Sequence, residues 1–458
     1  MRLHPTLPAP VLEAIRDRRW ADLADENRIW PDADVVAPDL ADLLTELPPH
    51  DRALLFRAVP SEVAGRTFAH LPATDQDALL TVLTDDETRH LLDRMAPDDR
   101  TLLLHELPGQ VTQRLLNLLP EQGLEHARGL LGYPDESVGR LMTPHYVAVR
   151  QEWTVDEALA NLREHGHASE TLDVVYVVDP EWRLIDGLSL RRLVLADPDA
   201  TVASLMDRVH VSIDAHEDRE HAVRLMQRYD RTALPVTGRD GVLVGIVTID
   251  DAFDVATAEA TEDFHLGAAV QPLRRGYLQT PLFQLYRSRI VWLAGLVLVN
   301  LASSGVIAAF EEVLLSSVAL AFFIPLIIDT GGNAGAQSAT LLIRAISTGN
   351  VRARAWARVF ARELAMGAAL GVTLGAMGFG LGLFRGGAQI GLVVFLTIAT
   401  MLILTNLLGS VLPFVLQRLG RDPATASGPL ITSVADVVGL LLYFGYATLL
   451  LSGPSAPA

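Results

Sequence analysis

The rhythm of apolar and polar positions changes several times along the 458 residues. Over residues 1–135 apolar positions recur at helical spacing, as in Leu54, Leu55 and Val59 or Leu79, Leu80 and Leu83. That spacing marks one face of a short helix. LPPHDR at 47–52, LPATDQ at 71–76 and MAPDDR at 95–100 follow one another at 24-residue intervals. Pro followed by Asp or Thr is a turn and then a helix start, so stacked helix pairs forming a small superhelix are expected. Over 136–257 strands and helices alternate. Val174 to Val178, closed by Asp179 and Pro180, reads as a buried strand ending in a turn. This region repeats itself: 141–166 matches 205–230, and 175–194 matches 234–253. Each copy runs strand, helix, strand, turn, strand, helix. A connecting helix and linker are expected over 258–284. Five apolar spans follow within 285–458, near 289–310, 314–343, 357–384, 388–416 and 428–452. Each can cross a bilayer, since about 20 apolar residues span the roughly 30 Å core.

Charge sharpens this division. Residues 1–275 hold 49 acids and 27 arginines, a net of −22, whereas 276–458 hold 6 acids and 10 arginines, a net of +4. An acidic soluble part therefore precedes a membrane part. Its sign argues against nucleic acid, whose phosphates demand a basic face, and favours cations. There is no Cys, which excludes disulfides, thiolate metal sites and a Cys nucleophile. Every Lys/Arg position is Arg. The N-terminus lacks the apolar run of a signal peptide, so the soluble part is expected in the cytoplasm. Arginines orient the spans. Arg287 and Arg289 open the first; Arg344, Arg352, Arg354, Arg358 and Arg362 lie between the second and third; Arg418 and Arg421 lie between the fourth and fifth. The opposite side carries Glu311, Glu312 and Arg385. This bias puts the N-terminus inside and the C-terminus outside.

Three stretches carry candidate chemistry. The fifth span, 422–450, holds one interior acid, Asp436, with Gly428 and Pro429 before it and Gly439 after it. A carboxylate at membrane depth costs about 2.5–3.5 kcal/mol on insertion scales. It calls for a partner, a water-filled cavity or a cation, so Asp436 is either a helix-locking hydrogen-bonding group or an ion site in a pore. In the second span Asp329, Asn333 and Gln337 fall at i, i+4 and i+8, one polar stripe, with Gly331, Gly332 and Gly335 permitting close backbone approach. Thr432 joins Asp436 and Gly439 on one face of the fifth span, and two polar faces suggest a water-filled path. The third span's Gly367, Gly371 and Gly375 are close-packing residues. Ahead of the spans, Asp251, Asp254, Glu259, Glu262 and Asp263 fall within about half of one helix circumference. Such a stripe is a solvated face or, so near the membrane, a place where a divalent cation could bridge like charges.

The duplicated 136–257 region, with LM openings at 141 and 205 and the closing GIVTIDD at 245–251, resembles a tandem pair of CBS motifs. That resemblance implies adenine-nucleotide or metal binding. A Ser or Thr followed three residues later by Asp often holds ribose and phosphate in such motifs. Thr248 and Asp251 fit this, while Ser189 is followed by Arg192, and Thr248 serves equally well as a helix cap. With PLIIDTGGNAGAQSAT at 325–340 and DPATASGPLITSVADVVG at 422–439, nearly the whole chain resembles the MgtE-type magnesium channels and transporters. The fold so implied is multidomain: an all-α superhelical N domain (1–135), an α/β tandem CBS pair (136–257), a connecting plug helix and linker (258–284), and a five-helix transmembrane pore domain (285–458).

The resemblance further implies a homodimer, joined through the transmembrane and CBS regions in a bacterial inner membrane. It would import Mg2+ and close when cytosolic Mg2+ binds the soluble acids, with ATP as a possible CBS ligand. By position, Asp436 is the pore acid and Asp422 lies at the cytoplasmic mouth. Asp98, Asp218, Glu220, Asp230, Asp251, Asp254, Glu259, Glu262 and Asp263 take sensor or acidic-interface positions. Arg66 and Leu102 stand where relatives have sensor acids, and Ala336 and Gly428 where some have Asn. Asp329, Asn333, Gln337 and Thr432 would line the path. No HExxH, GxSxG or Walker loop supports a membrane enzyme. A receptor that senses ions without transporting them, or a carrier of Co2+ or Mn2+, remains open here.

Overall fold

A computed structural model describes residues 6–23, 30–107, 109–273, 277, 280–351 and 353–451; Arg352 lies outside the described residues. The chain divides into two compact units, residues 1–258 and 259–458.

The first unit opens with a helical superhelix whose true step is shorter than the 24-residue repeat. Helices begin after Pro48, Pro60, Pro72, Thr84, Ala96 and Pro120, one every 12 residues or a multiple of it. Proline at or just before the first turn costs no hydrogen bond there, because the first N–H groups are unpaired anyway. Where Thr84 replaces Pro, a capping box with Glu87 does the same work. The repeat carries a further device, at positions 24 residues apart. Arg52, Gln76 and Arg100 each donate a side-chain hydrogen bond to the carbonyl eight residues upstream: Leu44 at 2.8 Å, Phe68 at 2.9 Å and Leu92 at 3.1 Å. Each caps the end of the helix just before its own, satisfying a carbonyl that would otherwise be orphaned. Leu40, Leu44, Leu55, Phe68, Leu79, Leu92 and Leu104 fill the core between helices.

The α/β part holds two three-stranded sheets. The first contains β1 (Ala148–Arg150), β2 (Val174–Val178) and β3 (Leu184–Ser189), in that order, with β1 parallel and β3 antiparallel to β2. The second repeats the plan with β4 (Ile213–Asp214), β5 (Ala233–Thr237) and β6 (Leu243–Thr248). Crossover helices Val155–His165 and Arg219–Tyr229 join the parallel strands, as parallel pairing requires. The helix after β6 runs unbroken from Ile249 to Gly267, through the expected boundary at 257.

Among the described residues, the second unit contains five helices long and apolar enough to cross a membrane: Leu282–Ala309, Val318–Ser347, Trp356–Gly386, Ala388–Arg418 and Gly428–Leu451. The second differs from expectation at its start. A short helix, Glu311–Ser316, and a 3-10 turn, Val318–Phe323, precede the regular helix at Ile324. Tyr443 of the fifth span ties this turn down, its hydroxyl donating to the Leu320 carbonyl at 2.9 Å. Glycines set the remaining geometry. A Cβ on Gly371 would lie 2.7 Å from the Ala399 carbonyl oxygen, one on Gly367 2.9 Å from Ile403 Cα, and one on Gly409 2.3 Å from the Gly335 carbonyl oxygen. The second and third spans thus pack on the fourth backbone to backbone, the close approach that small residues permit.

Candidate functional site

The fifth span is positioned from its first turn. Asp422 caps the 3-10 turn Pro423–Thr425, its Oδ1 accepting from the Ala424 N–H at 2.8 Å. The helix then packs antiparallel on the second span. A Cβ on Gly428 would stand 3.6 Å from that of Ala336, one on Gly332 would meet Thr432 Cγ2 at 2.6 Å, and one on Gly439 would reach Ile327 Cγ2 at 3.4 Å. Ala336 and Gly428 are therefore neighbours. In this register Asp436 stands level with the turn that carries Asp329. Asp436 is partly exposed, yet its Oδ1 is enclosed and has no hydrogen-bond partner among the described residues. An enclosed oxygen with no donor is costly unless a cation or water meets it. Of the second-span stripe, Asp329, Asn333 and Gln337 are all exposed on the single chain. Among the described residues no three His, Asp or Glu side chains gather into a metal-holding group.

A second acidic site forms in the first unit, where the superhelix meets the α/β part. Asp98, in the first turn of Pro97–Glu106, is 8% exposed, and its Oδ1 lacks a hydrogen-bond partner among the described residues. Burial, followed by Asp99 and Glu170, pushes its carboxyl up to about 8. Burial likewise raises Asp99 to about 6. It raises Asp251 well above the usual range, with Asp98 and Asp250 adding to it. Asp254 and Glu170 are raised by burial and by Asp250. Arg66 enters this cluster, its Nε 3.0 Å from Asp34 and its Nη1 3.6 Å from Glu170. Among the N-domain acids, Asp98 is buried and the Asp75 carboxylate pairs with Arg52.

The other sequence-selected acids are placed elsewhere. Asp218 caps Arg219–Tyr229 by accepting from the Glu220 N–H at 2.8 Å, Glu220 pairs with Arg224 at 2.8 Å, and Asp230 ends the helix in the left-handed region at φ 49°. Asp218 and Asp230 are thus held about 18 Å apart along that helix. Glu259, Glu262 and Asp263 continue, partly buried, along Ile249–Gly267. Thr248 donates to the Asp251 carboxylate at 2.8 Å, so the two engage each other. Neither lines the cleft between the two sheets, bounded by Tyr176, Gly187, His210, Arg231 and Pro235 among others. The buried Tyr176 hydroxyl on that cleft has no partner among the described residues.

Sequence reasoning passed over Glu170, Asp250 and Glu363. For Glu363 the signal was present, since an acid inside an apolar span is a functional candidate by default. Glu170 lies 72 positions from Asp98, and nothing local links them.

Comparison with known proteins agrees with this layout. The "MgtE intracellular N domain" model matches residues 37–136, the CBS domain model 138–199 and 202–257, and the MgtE "Divalent cation transporter" model 324–446. The magnesium transporter MgtE of Thermus thermophilus is 40% identical over 337 residues, 74% of this chain and 75% of that protein. The Bacillus subtilis magnesium transporter MgtE is 33% identical over 423 residues, 90% and 93% of the two chains. A solved cytosolic domain of the Mg2+ channel MgtE in complex with ATP is 34% identical at a TM-score of 0.49, covering 55% of this chain and all of that one. The chain belongs to the MgtE family of magnesium transporters, carrying its N domain, its CBS pair and its membrane domain.

Proposed function

We propose that the chain forms a homodimeric Mg2+ channel of the bacterial inner membrane rather than an enzyme, with its N-terminal part in the cytoplasm and its C-terminus outside. The observation that carries this is the enclosed, unpartnered Asp436 Oδ1 on a membrane-spanning helix. Magnesium keeps several of its waters and is usually held by one or two carboxylates, so a pair of Asp436 side chains across a two-fold axis suits it. Thr432 adds a hydroxyl a turn away, and Asp329, Asn333 and Gln337 line the path. A polar stripe open to hydrocarbon is costly, and a second copy or an aqueous path relieves that cost. Asp422, whose carboxylate caps a turn, stands at the inner mouth.

The acids gathered around Asp98 in the first unit supply the sensor. Asp98, Asp251 and Asp254 repel one another when ionised, and a bound divalent cation would reverse that balance and favour closure. Asp218, Glu220, Asp230, Glu259, Glu262 and Asp263 extend the acidic surface that cytosolic Mg2+ would bridge. The orphaned Tyr176 hydroxyl, with His210 and Arg231, gives the inter-sheet cleft the chemistry to take an adenine nucleotide such as ATP.

Reconstitution of the purified chain in liposomes tests the reading. Wild type should pass Mg2+ in preference to Ca2+, and Asp436→Asn should abolish flux. Undiminished flux through Asp436→Asn would overturn the pore assignment, and greater flux of Co2+ or Mn2+ would change the assigned cargo.

A further inference from the structure

The membrane unit holds a third acid inside a span, Glu363, away from the stripe and from Asp436. It sits one turn ahead of Gly367 on the row Gly367, Gly371, Gly375 that faces the fourth span. Gly371 lies against Ala399 and Gly367 against Leu402 and Ile403, so the row leads Glu363 to the level of Asn406. There its carboxylate reaches past the fourth span to the second. The Ser338 hydroxyl lies 2.8 Å from Glu363 Oε2 and 3.1 Å from the Asn406 main-chain carbonyl oxygen, so the carboxylate is the nearer acceptor for its one proton. Ser338 is 6% exposed. No arginine stands within ion-pair distance of Glu363 among the described residues.

We propose that Glu363 is a positioning residue for the conduction path: by holding Ser338, it fixes the rotation of the second span and hence the direction of its polar stripe. This deepens the transport reading and rests on it. Ser338 lies roughly 100° to 180° around an ideal helix from Gln337, Asn333 and Asp329. A grip on Ser338 is therefore a grip on the back of the stripe-bearing helix. The packing glycines around it, Gly331, Gly335 and Gly409, set how near the second span comes, but smooth glycine surfaces resist rotation poorly. A hydrogen bond to a carboxylate is directional and stronger than a neutral one, more so where water is excluded. That gives a physical reason for a span to keep an acid that is expensive in lipid.

The full-length chain in liposomes gives the test, with Mg2+ flux and the Mg2+/Ca2+ selectivity ratio as readouts. Glu363→Gln retains an oxygen acceptor for Ser338 and should keep both within about twofold of wild type, the scale of a modestly weakened hydrogen bond. Glu363→Ala and Ser338→Ala should each lower flux by roughly tenfold and reduce selectivity, and the double variant should lose no more than either single one, as for two residues acting through one contact. Equal loss in Glu363→Gln and Glu363→Ala would make the charge itself the requirement and overturn the proposal. So would wild-type flux and selectivity in Ser338→Ala, which deletes a single oxygen and decides the matter if Glu363→Ala does not fold. Absence of flux from the wild-type chain would overturn the transport reading and this proposal together, whereas wild-type flux that is unchanged in Glu363→Ala overturns the proposal alone.

Discussion

Asp98 shows how much one buried carboxyl can decide. Its carboxyl is raised to about 8, that of Asp99 to about 6, and burial is the leading cause for both. A raised carboxyl means that the assembled site binds more protons than the separated parts, so its stability is present at low pH and is lost as pH rises through the raised value. Without magnesium, the superhelix should hold to the α/β part at pH 6 and loosen at pH 8. The equilibrium should shift about tenfold per pH unit for each proton released. Limited proteolysis of the full chain in EDTA would show this as faster cleavage at pH 8, and added Mg2+ should remove the difference. Asp98→Asn, which cannot ionise, should stay protected at pH 8 without magnesium. Arg66 gives a second handle, because its guanidinium already stands between Asp34 and Glu170. Arg66→Glu should make protection at pH 8 depend more steeply on magnesium, and an unchanged magnesium dependence would remove Arg66 from the balance.

Elements were legible in the sequence in proportion to how local their causes are. The helix starts at Pro48, Pro72 and Ala96 follow from turn residues that sit beside them, and the duplicated strands follow from apolar runs bounded by turns. The polar stripe of the second span was legible too, because its period of four is a property of one helix. Other features depend on partners distant in the chain. Glu170 joins Asp98 across 72 residues, and Ser338 meets Asn406 across 68. The 3-10 turn at Val318–Phe323 is fixed by Tyr443, more than a hundred positions downstream. The glycine contacts between spans yield a prediction of their own. Gly409→Ala would drive a methyl into the Gly335 carbonyl, and overpacking of that kind costs about 1–3 kcal/mol. Gly380→Ala on the third span meets nothing within 4 Å. Thermal unfolding in detergent should show a lower midpoint for the first variant and no loss for the second.

At the scale of the molecule, the proposed homodimer would cover the exposed row of Asp329, Asn333 and Gln337, and the absence of cysteine makes that simple to test. Asn333→Cys, the sole thiol in its chain, should give a disulfide-linked dimer in oxidised membranes. Leu383→Cys, on the apolar surface of the third span, should give none. Monomer alone from Asn333→Cys would argue against the two-fold pore. The glycine contacts also have a mechanical meaning. Where main chains touch, there is no layer of side chains to deform, so the spacing of the second, third and fourth spans is fixed. The first span is different. Only Ser288 and Ser303 along it are buried, and it leans on the fifth span, stacking Phe310 at its end against Phe444 at 5.3 Å. Under the proposed gating, a push arriving along the first span would meet the Asp436 helix first, and that helix packs in turn on the second and fourth spans.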